Sequence, residues 1–537
     1  MWEQVLNNDP DKQFLLKGLK EGFRLTSDEC KLPDSTANND KSANNHAPEL
    51  KEKMDIYIKQ EIAEGKLKVA DTEPQIVSPI FALPKSDGSI RLIQDCSKPC
   101  GKSLNDKASC EYKIRYQSVQ DAVQLLKKGY YMCKIDLKSA YRSVPIHPSE
   151  YSLTGIKHTF LGHKKPTFLY NTRLIQGAKL SPMIFHRLSQ AVKRYAATIG
   201  IKTVAYLDDY LIISADYNSG LQAQHKFIHL IRNLGFHVAW HKVQGPSQRL
   251  TFLGIELNSE EMSLTLPPEK IADFKQMLTQ FQHRKRASRK QLEQLCGKLS
   301  WAATVVRAGR SYLRRAFDML AHLRKDNHKI LCTEGLHLDI HWWINVLNYF
   351  PGKRILCDKP VNTVYIDASD EGSGFMFQND WGYVNWKQDL PEIADIHINV
   401  KETLSAIFAV RKWGRMFQNS KVLFLTDNTT ACANISKGTS RNPIVMPWLR
   451  ELHWASAIYN FEICSIHIPG QCMPADDVSR LHNYGNLRHF MSTKGVCDAY
   501  RCAQFMFEIP WHMSIKSAMF VLKQVIKEYK PKRNWTS

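Results

Sequence analysis

Apolar positions along the chain follow two rhythms. Phe14, Leu15, Leu16, Leu19 and Phe23 recur at helical spacing and predict a short amphipathic helix near the start. Residues 32–46 (LPDSTANNDKSANNH) hold nothing to bury and read as a flexible linker, with folded sequence resuming near Ala47. Residues 76–95 predict two strands joined by a turn at Ser86-Asp87-Gly88. Residues 203–214 (TVAYLDDYLIIS) predict a tight hairpin, and an apolar strand is expected to end at Asp136. Strands are also expected at 363–366 and 421–426, with helical spacing over 268–325 and 400–417. Strands that alternate with helices, without an internal repeat, argue for more than one α/β unit.

Composition narrows the class. With 537 residues there is room for three or four domains, and 43% hydrophobic content excludes a mainly disordered chain. No stretch approaches 18 uncharged apolar residues and the first residues lack a signal-peptide pattern, so an intracellular protein, cytoplasmic or nuclear, is expected, with no membrane partner. Lys and Arg total 73 against 52 Asp and Glu, a surplus of 21 that makes a polyanion a natural partner. A solvated basic surface is the plain alternative. Thirteen cysteines occur as scattered singles with no CxxC pair, so neither a disulfide framework nor a standard zinc module is indicated.

Two groups of carboxylates carry candidate chemistry. Asp208 and Asp209 lie at the tip of the expected hairpin, where an Asp-Asp turn alone would be unremarkable. Asp136, at the end of another apolar strand, changes that reading. Charges beside apolar runs are costly, and a shared cation is the economical explanation. Carboxylates from separate strands can hold two Mg²⁺ ions for in-line phosphoryl displacement. The second group is Asp367, Glu402, Asp427 and Asp476, three of them at element ends beside apolar stretches. A fold that gathers them makes another two-metal site, although Asp favours helix starts and turns in any case.

The motifs around these residues resemble the reverse transcriptases. Tyr206-Leu207-Asp208-Asp209 is similar to their YxDD signature, KIDLKSAY to the first palm motif, LIQGAKLSPMIF to QGxxxSP and LTFLGIEL to the later FLG motif, all in family order. The resemblance implies that Asp136, Asp208 and Asp209 are metal ligands and that Tyr141 lies under the deoxyribose and excludes a 2′-hydroxyl. It implies that Gln176 and Gly177 line the nucleotide pocket and that Lys85 and Arg91 contact the triphosphate. Lys242 matches a lysine that protonates departing pyrophosphate, although Ala239 stands where the family usually has Asn. A solvated lysine is the alternative.

DAS, a Glu on a helix, TDN and ADxxSR resemble the ribonucleases H attached to retroelement polymerases. This implies metal-binding roles for Asp367, Glu402, Asp427 and Asp476, with Cys472 departing from the usual Asn. His467, in SIHIPG, is either a catalytic-loop residue or a structural strand residue. LLKGLKEGFRL, the helical stretch 283–325, Trp342-Trp343 and the HIPG loop resemble the DIRS-type retrotransposons.

The resemblance therefore implies a multidomain α/β (α+β) chain: a right-hand polymerase with fingers, palm and thumb, a connection, and a C-terminal ribonuclease H-like α/β domain. The expected segments are an N-terminal helix and linker (1–46), fingers and palm (47–265), a basic helical thumb (266–330), a connection (331–360), the ribonuclease H-like domain (361–482) and a basic tail (483–537). The spacing of Arg307, Arg310, Arg314 and Arg315 can place a basic stripe on one side of a helix, suited to tracking a phosphate backbone, with a solvated helix face as the alternative. The implied activities are RNA-directed DNA synthesis and hydrolysis of the RNA strand of the hybrid. Two Mg²⁺ ions per site are implied, with Mn²⁺ as an alternative. The implied partners are an RNA template, a DNA primer, the RNA–DNA hybrid, dNTPs and a recombinase of the same element. The rival reading is a decayed or domesticated element that binds nucleic acid without catalysis.

Overall fold

The computed structural model describes residues 1–27, 48–84, 88–109, 112–349, 352–356, 359 and 361–481. The expected linker, the basic tail with Cys497 and Cys502, and Lys85 lie outside the described residues. The chain divides into two compact units, Met1–Leu253 and Gly254–Ser537. The division falls before the expected boundary at 265. Its cause is the strand Ile255–Asn258, which pairs with Ser263–Thr265, itself paired with Gly352–Arg354 in the second unit. Among the described residues no helix is long and apolar enough to cross a membrane.

A four-stranded sheet centres the first unit. Its order is Lys202–Tyr206, Asp209–Ser214, Tyr131–Asp136 and Gln244–Ser247, all antiparallel. Helices Ser181–Thr198 and Tyr217–Asn233 pack against it. Asp216 starts the second of these by accepting from Ser219 N at 2.9 Å, a cap contributing about 1 kcal/mol. Ile135, Tyr210, Ile212, Phe185, Leu188 and Phe227 fill the core between sheet and helices.

The predicted N-terminal helix is present as Lys12–Glu21, and Val5, Leu6, Leu15, Phe23 and Leu25 belong to that same core. Asp9 and Asp11 pair with Arg194 and Arg187, which fastens the segment to helix Ser181–Thr198. A smaller cluster holds helix Pro48–Ala63 on the hairpin Ile80–Pro84/Ile90–Gln94 and on the antiparallel sheet Leu67–Val69, Thr167–Asn171, Gly155–His158.

In the second unit the stretch expected to be helical breaks into Pro268–Gln282, Arg289–Ala302 and Arg314–Ala321. Arg286–Ser288 is instead a short strand paired with Lys329–Leu331. Ser288 and Gln291 form a reciprocal capping box that restarts the helix.

The expected arginine stripe does not form. Arg307 is drawn inward and donates to Phe461 O at 3.0 Å. Arg314 pairs with Asp318, and Arg315 with Asp339 at 2.7 Å. Arg310 alone of the four is exposed. The helix ends at Ala302, Arg307 lies in the turn that follows, Arg310 in the short turn Gly309–Tyr312 and Arg314 at the start of the next helix, so the four do not share one helical face. That short turn meets helix Glu334–Tyr349 and helix Met446–Ile458, where Tyr312 stacks on Trp342 at 3.8 Å.

A five-stranded sheet follows, in the order Asp380–Asn385, Gly372–Phe377, Val361–Ala368, Lys421–Thr426, Glu462–His467. The first three strands are antiparallel and the last two pairings parallel. Val361–Ala368 and Lys421–Thr426 contain the strands expected at 363–366 and 421–426. Helix Ile398–Trp413 is buried along nearly its whole length, between the sheet and helices Thr429–Lys437 and Met446–Ile458.

Candidate active sites

Register builds the first site. The pairing across the central strands runs Lys134 to Leu211, Ile135 to Tyr210 and Asp136 to Asp209. Tyr206 pairs with Asp209 within the hairpin, so Leu207 and Asp208 form a two-residue turn. Leu207 takes φ +52°, a left-handed conformation that costs a residue with a side chain about 1 kcal/mol. Leu137 N donates to Asp208 O at 3.0 Å and ties the turn to the end of the central strand. Asp136 and Asp209 thus stand side by side with Asp208 next to them.

The carboxylates are short of partners. Asp136 is 8% exposed, and Asp209 Oδ1 is buried with no hydrogen-bond donor. Lys134 Nζ lies 3.7 Å from that oxygen. Burial, opposed by Lys134 and reinforced by Asp136 and Asp208, pushes Asp209 up to about 7. Burial also raises Asp208, while Lys242 and Arg91 pull it down. Clustered like charges with an orphaned buried oxygen fit an oxygen-coordinated divalent cation such as Mg²⁺.

Lys242 Nζ donates to Asp136 Oδ1 at 3.0 Å from the short turn Trp240–Lys242. Ala239 N–H donates to Asp136 O at 2.8 Å. The backbone makes that anchor, so it survives with alanine at the position.

Of the remaining candidates, Tyr141 and Arg91 are close enough for charge to act between them and Asp208, while Gln176 and Gly177 lie against Gln94. Tyr141 lies in the turn Ala140–Ser143, half-buried, its ring 5.4 Å from Phe185 and nearly edge-on. Burial raises its hydroxyl well above the usual phenol range, and the Asp208 charge adds to this. Gln176 and Gly177 are exposed. Gly177 has φ +123°, and a Cβ there would overlap the carbonyl of Gln94, so only glycine fits. Arg91 is exposed opposite Leu83 on the hairpin.

The second site gathers more tightly. Ligand atoms of Asp367, Glu402 and Asp427 all lie within 4.8 Å of one another. Asp367 and Glu402 are buried on strand Val361–Ala368 and helix Ile398–Trp413, and Asp427 is exposed just beyond strand Lys421–Thr426. Ser405 Oγ donates to Asp367 O at 3.0 Å and shares a 2.6 Å hydrogen bond with Ser373 Oγ, which clips helix to sheet beside the carboxylates. Burial, then Asp367 and Asp427, pushes Glu402 up to about 9. Burial raises Asp367 to about 7 against a Ser479 hydrogen bond. Three converging oxygens that repel one another fit a bound cation.

Asp476 is close enough for its charge to act on Asp367 but accepts from Arg480 Nε and Nη2 at 2.9 and 2.8 Å. His467 is half-buried beside Thr426 on the neighbouring strand. Gly470, in the loop that follows, lies against Asp427: a Cβ there would be 2.9 Å from Asp427 Oδ2. Lys134, Gly374 and Gly470 were not singled out from sequence. Lys134, two residues before Asp136 on the same strand, had a readable signal in its period-two spacing.

Residues 83–257 match the family model described as reverse transcriptase (RNA-dependent DNA polymerase). The chain is 25% identical over 272 residues to the Gag-Pro-Pol polyprotein of Mason-Pfizer monkey virus, covering 48% of this chain and 14% of that protein. It is 22% identical over 395 residues to the genome polyprotein of Petunia vein clearing virus, covering 67% of this chain and 16% of that one. It thus spans about a seventh of the length of these curated relatives. Among solved structures, the foamy viral protease-reverse transcriptase dRH in complex with double-stranded DNA superposes with a TM-score of 0.52. That match has 16% identity and covers 87% of this chain and 81% of that one. The foamy viral protease-reverse transcriptase with double-stranded DNA gives 0.51, covering 87% and 96%. With four motifs in order and register-paired aspartates, residues 83–257 are thus similar to the reverse transcriptases, and the chain shares its fold with the foamy viral protease-reverse transcriptase.

Proposed function

We propose that the chain copies RNA into DNA at Asp136, Asp208 and Asp209 and degrades the RNA strand of the product at Asp367, Glu402, Asp427 and Asp476. The observation that carries this reading is the Asp136–Asp209 register pair, with Asp208 in the adjoining turn and a buried Asp209 oxygen that has no donor. Divalent cations held by each carboxylate set supply charge stabilisation for in-line phosphoryl transfer.

The chain's own groups do the rest. Lys242, 3.0 Å from Asp136 Oδ1, is placed to hold a proton for the departing pyrophosphate. Tyr141 bars a 2′-hydroxyl, Gln176 and Gly177 form the pocket wall, and Arg91, with Lys85, holds the triphosphate. In the second site Arg480 orients Asp476, and Ser405 fixes the helix that presents Glu402.

The substrates on this reading are an RNA template, a DNA primer, dNTPs and the RNA–DNA hybrid, met inside the cell. Residues 47–265 act as fingers and palm, 266–330 as thumb, 331–360 as connection and 361–482 as nuclease. The DIRS-like stretches at the N-terminus and over 283–325, with the HIPG loop, support an element of that type, which works with its own recombinase.

A hybrid carrying a labelled RNA strand tests the pairing of activities. Wild type is expected to extend the primer and shorten the RNA. Asp367→Asn and Glu402→Gln are expected to extend it and leave the RNA whole. RNA cleavage that survives both substitutions contradicts the nuclease assignment.

A further inference from the structure

Directly after Tyr141 stands Arg142, whose side chain turns away from the carboxylates into a buried polar network. Its side chain is 12% exposed and that of its partner Glu61 7%. Arg142 Nε donates to Glu61 Oε2 at 2.7 Å, and Nη2 lies 2.6 Å from the same oxygen. Nη1 donates to Asn171 Oδ1 at 2.8 Å and to the carbonyls of Arg173 and Leu174 at 3.3 Å each. Nη2 also donates to Lys66 O at 3.1 Å. Asn171 carries the network on to Gln94 Oε1 at 2.9 Å, and Gln94 holds Thr154 O and Gly155 O at 3.2 Å.

These partners come from chain segments that are far apart in sequence, two of which lead to the proposed nucleotide pocket. Glu61 and Lys66 belong to helix Pro48–Ala63 and the turn after it. Arg173 and Leu174 lead straight into Ile175-Gln176-Gly177. Gln94 ends the strand that carries Arg91, and its backbone touches the Gln176–Gly177 turn: Gln94 N–H donates to Gln176 O at 3.4 Å. The turn that carries Tyr141 is itself laid along the same approach strand, with Leu174 N donating to Val144 O at 2.9 Å. A simple ion pair would need only Glu61. The planar guanidinium instead fans its donors over three backbone carbonyls, which a lysine ammonium on a flexible stem cannot match.

We propose that Arg142 is a positioning residue that sets the distance between Tyr141 and the Gln176–Gly177 turn, and through it the affinity and sugar selectivity for the incoming dNTP. The inference rests on the polymerase reading above and goes further by naming a residue that touches no substrate.

The test is steady-state incorporation of single nucleotides on an RNA template with a DNA primer, by the full chain and its Arg142→Lys and Glu61→Gln variants. Both variants are expected to raise the KM for dNTP about tenfold while kcat stays within about threefold. The preference for dNTP over the matching rNTP should fall, and the Kd for the hybrid should not change. An Arg142→Lys enzyme with wild-type KM and sugar preference overturns the inference. So does a variant that loses only melting temperature and active fraction, because a purely structural role predicts that pattern. If Arg142→Lys does not fold, Glu61→Gln decides by the same criteria. A wild-type chain that incorporates no nucleotide overturns the polymerase reading itself, and this inference with it.

Discussion

Asp367 and Gly374 face each other across two antiparallel strands. The side chain missing at Gly374 leaves the space in which the helix Ala475–Ser479, bearing Asp476, lies on the sheet: a Cβ on Gly374 would come within 2.5 Å of Ala475 O. The glycine therefore lets the fourth carboxylate approach the first.

Gly374→Ala is expected to push that helix outward. Overpacking of this kind costs roughly 1–3 kcal/mol, so the second unit should melt earlier. RNA-strand cleavage should fall by more than the loss of folded protein accounts for, and primer extension should persist. Cleavage and melting at wild-type values would show that the close approach is not needed.

Raised carboxyl pKa values have a definite consequence for stability. Asp209 and Asp367 rise from 3.8 to about 7, and Glu402 from 4.5 to about 9. In metal-free protein the folded state therefore holds more protons than the unfolded chain between about pH 4 and pH 9. Stability must then fall as pH rises through that window. Binding of Mg²⁺ has to displace those protons, so its affinity should tighten with rising pH. Thermal melts in EDTA and in Mg²⁺ test this: the Mg²⁺-induced rise in Tm should be larger at pH 8.5 than at pH 6. Glu402→Gln should shrink the pH dependence. A Mg²⁺ effect that is the same at both pH values contradicts the account.

The inward arginines separate structure from substrate binding. Asp339 is 2% exposed between Arg315 at 2.7 Å and Arg450 at 3.4 Å. Removing one member of a buried ionic cluster costs about 3 kcal/mol or more, so Asp339→Ala should lower the Tm of the second unit clearly. Arg307→Met should also destabilise, by loss of its bond to Phe461 O. Neither Arg307→Met nor Arg315→Met should change the slope of log Kd for the hybrid against log salt concentration. A slope reduced by about one for either residue would make it a phosphate contact after all.

The placement of Asp136, Asp208 and Asp209 at strand ends was legible in the sequence because its signals are local. Asp136 ends a run of strand-forming residues, Asp208 and Asp209 interrupt another, and strand register does the rest. Lys242 was legible only as a motif position. Its contact with Asp136 depends on an Ala239 backbone bond that no side-chain pattern records. The stripe over Arg307–Arg315 was misread because the chain leaves the helix at Ala302 and restarts it only at Arg314, so helical spacing does not hold across the four arginines. Burial by helices Glu334–Tyr349 and Met446–Ile458 is a tertiary fact. The Arg142 network was invisible for the same reason: Glu61, Gln94 and Asn171 are far apart in the chain, and each alone reads as an ordinary surface polar residue.

The most direct test of the central claim is extension of a DNA primer on an RNA template with dNTPs and Mg²⁺. It compares the wild-type chain with an Asp208→Asn/Asp209→Asn double variant that binds the hybrid equally well. The account predicts full-length DNA from the wild type and none above background from the variant. Equal synthesis by both, or none by a wild type that binds the hybrid, would contradict it.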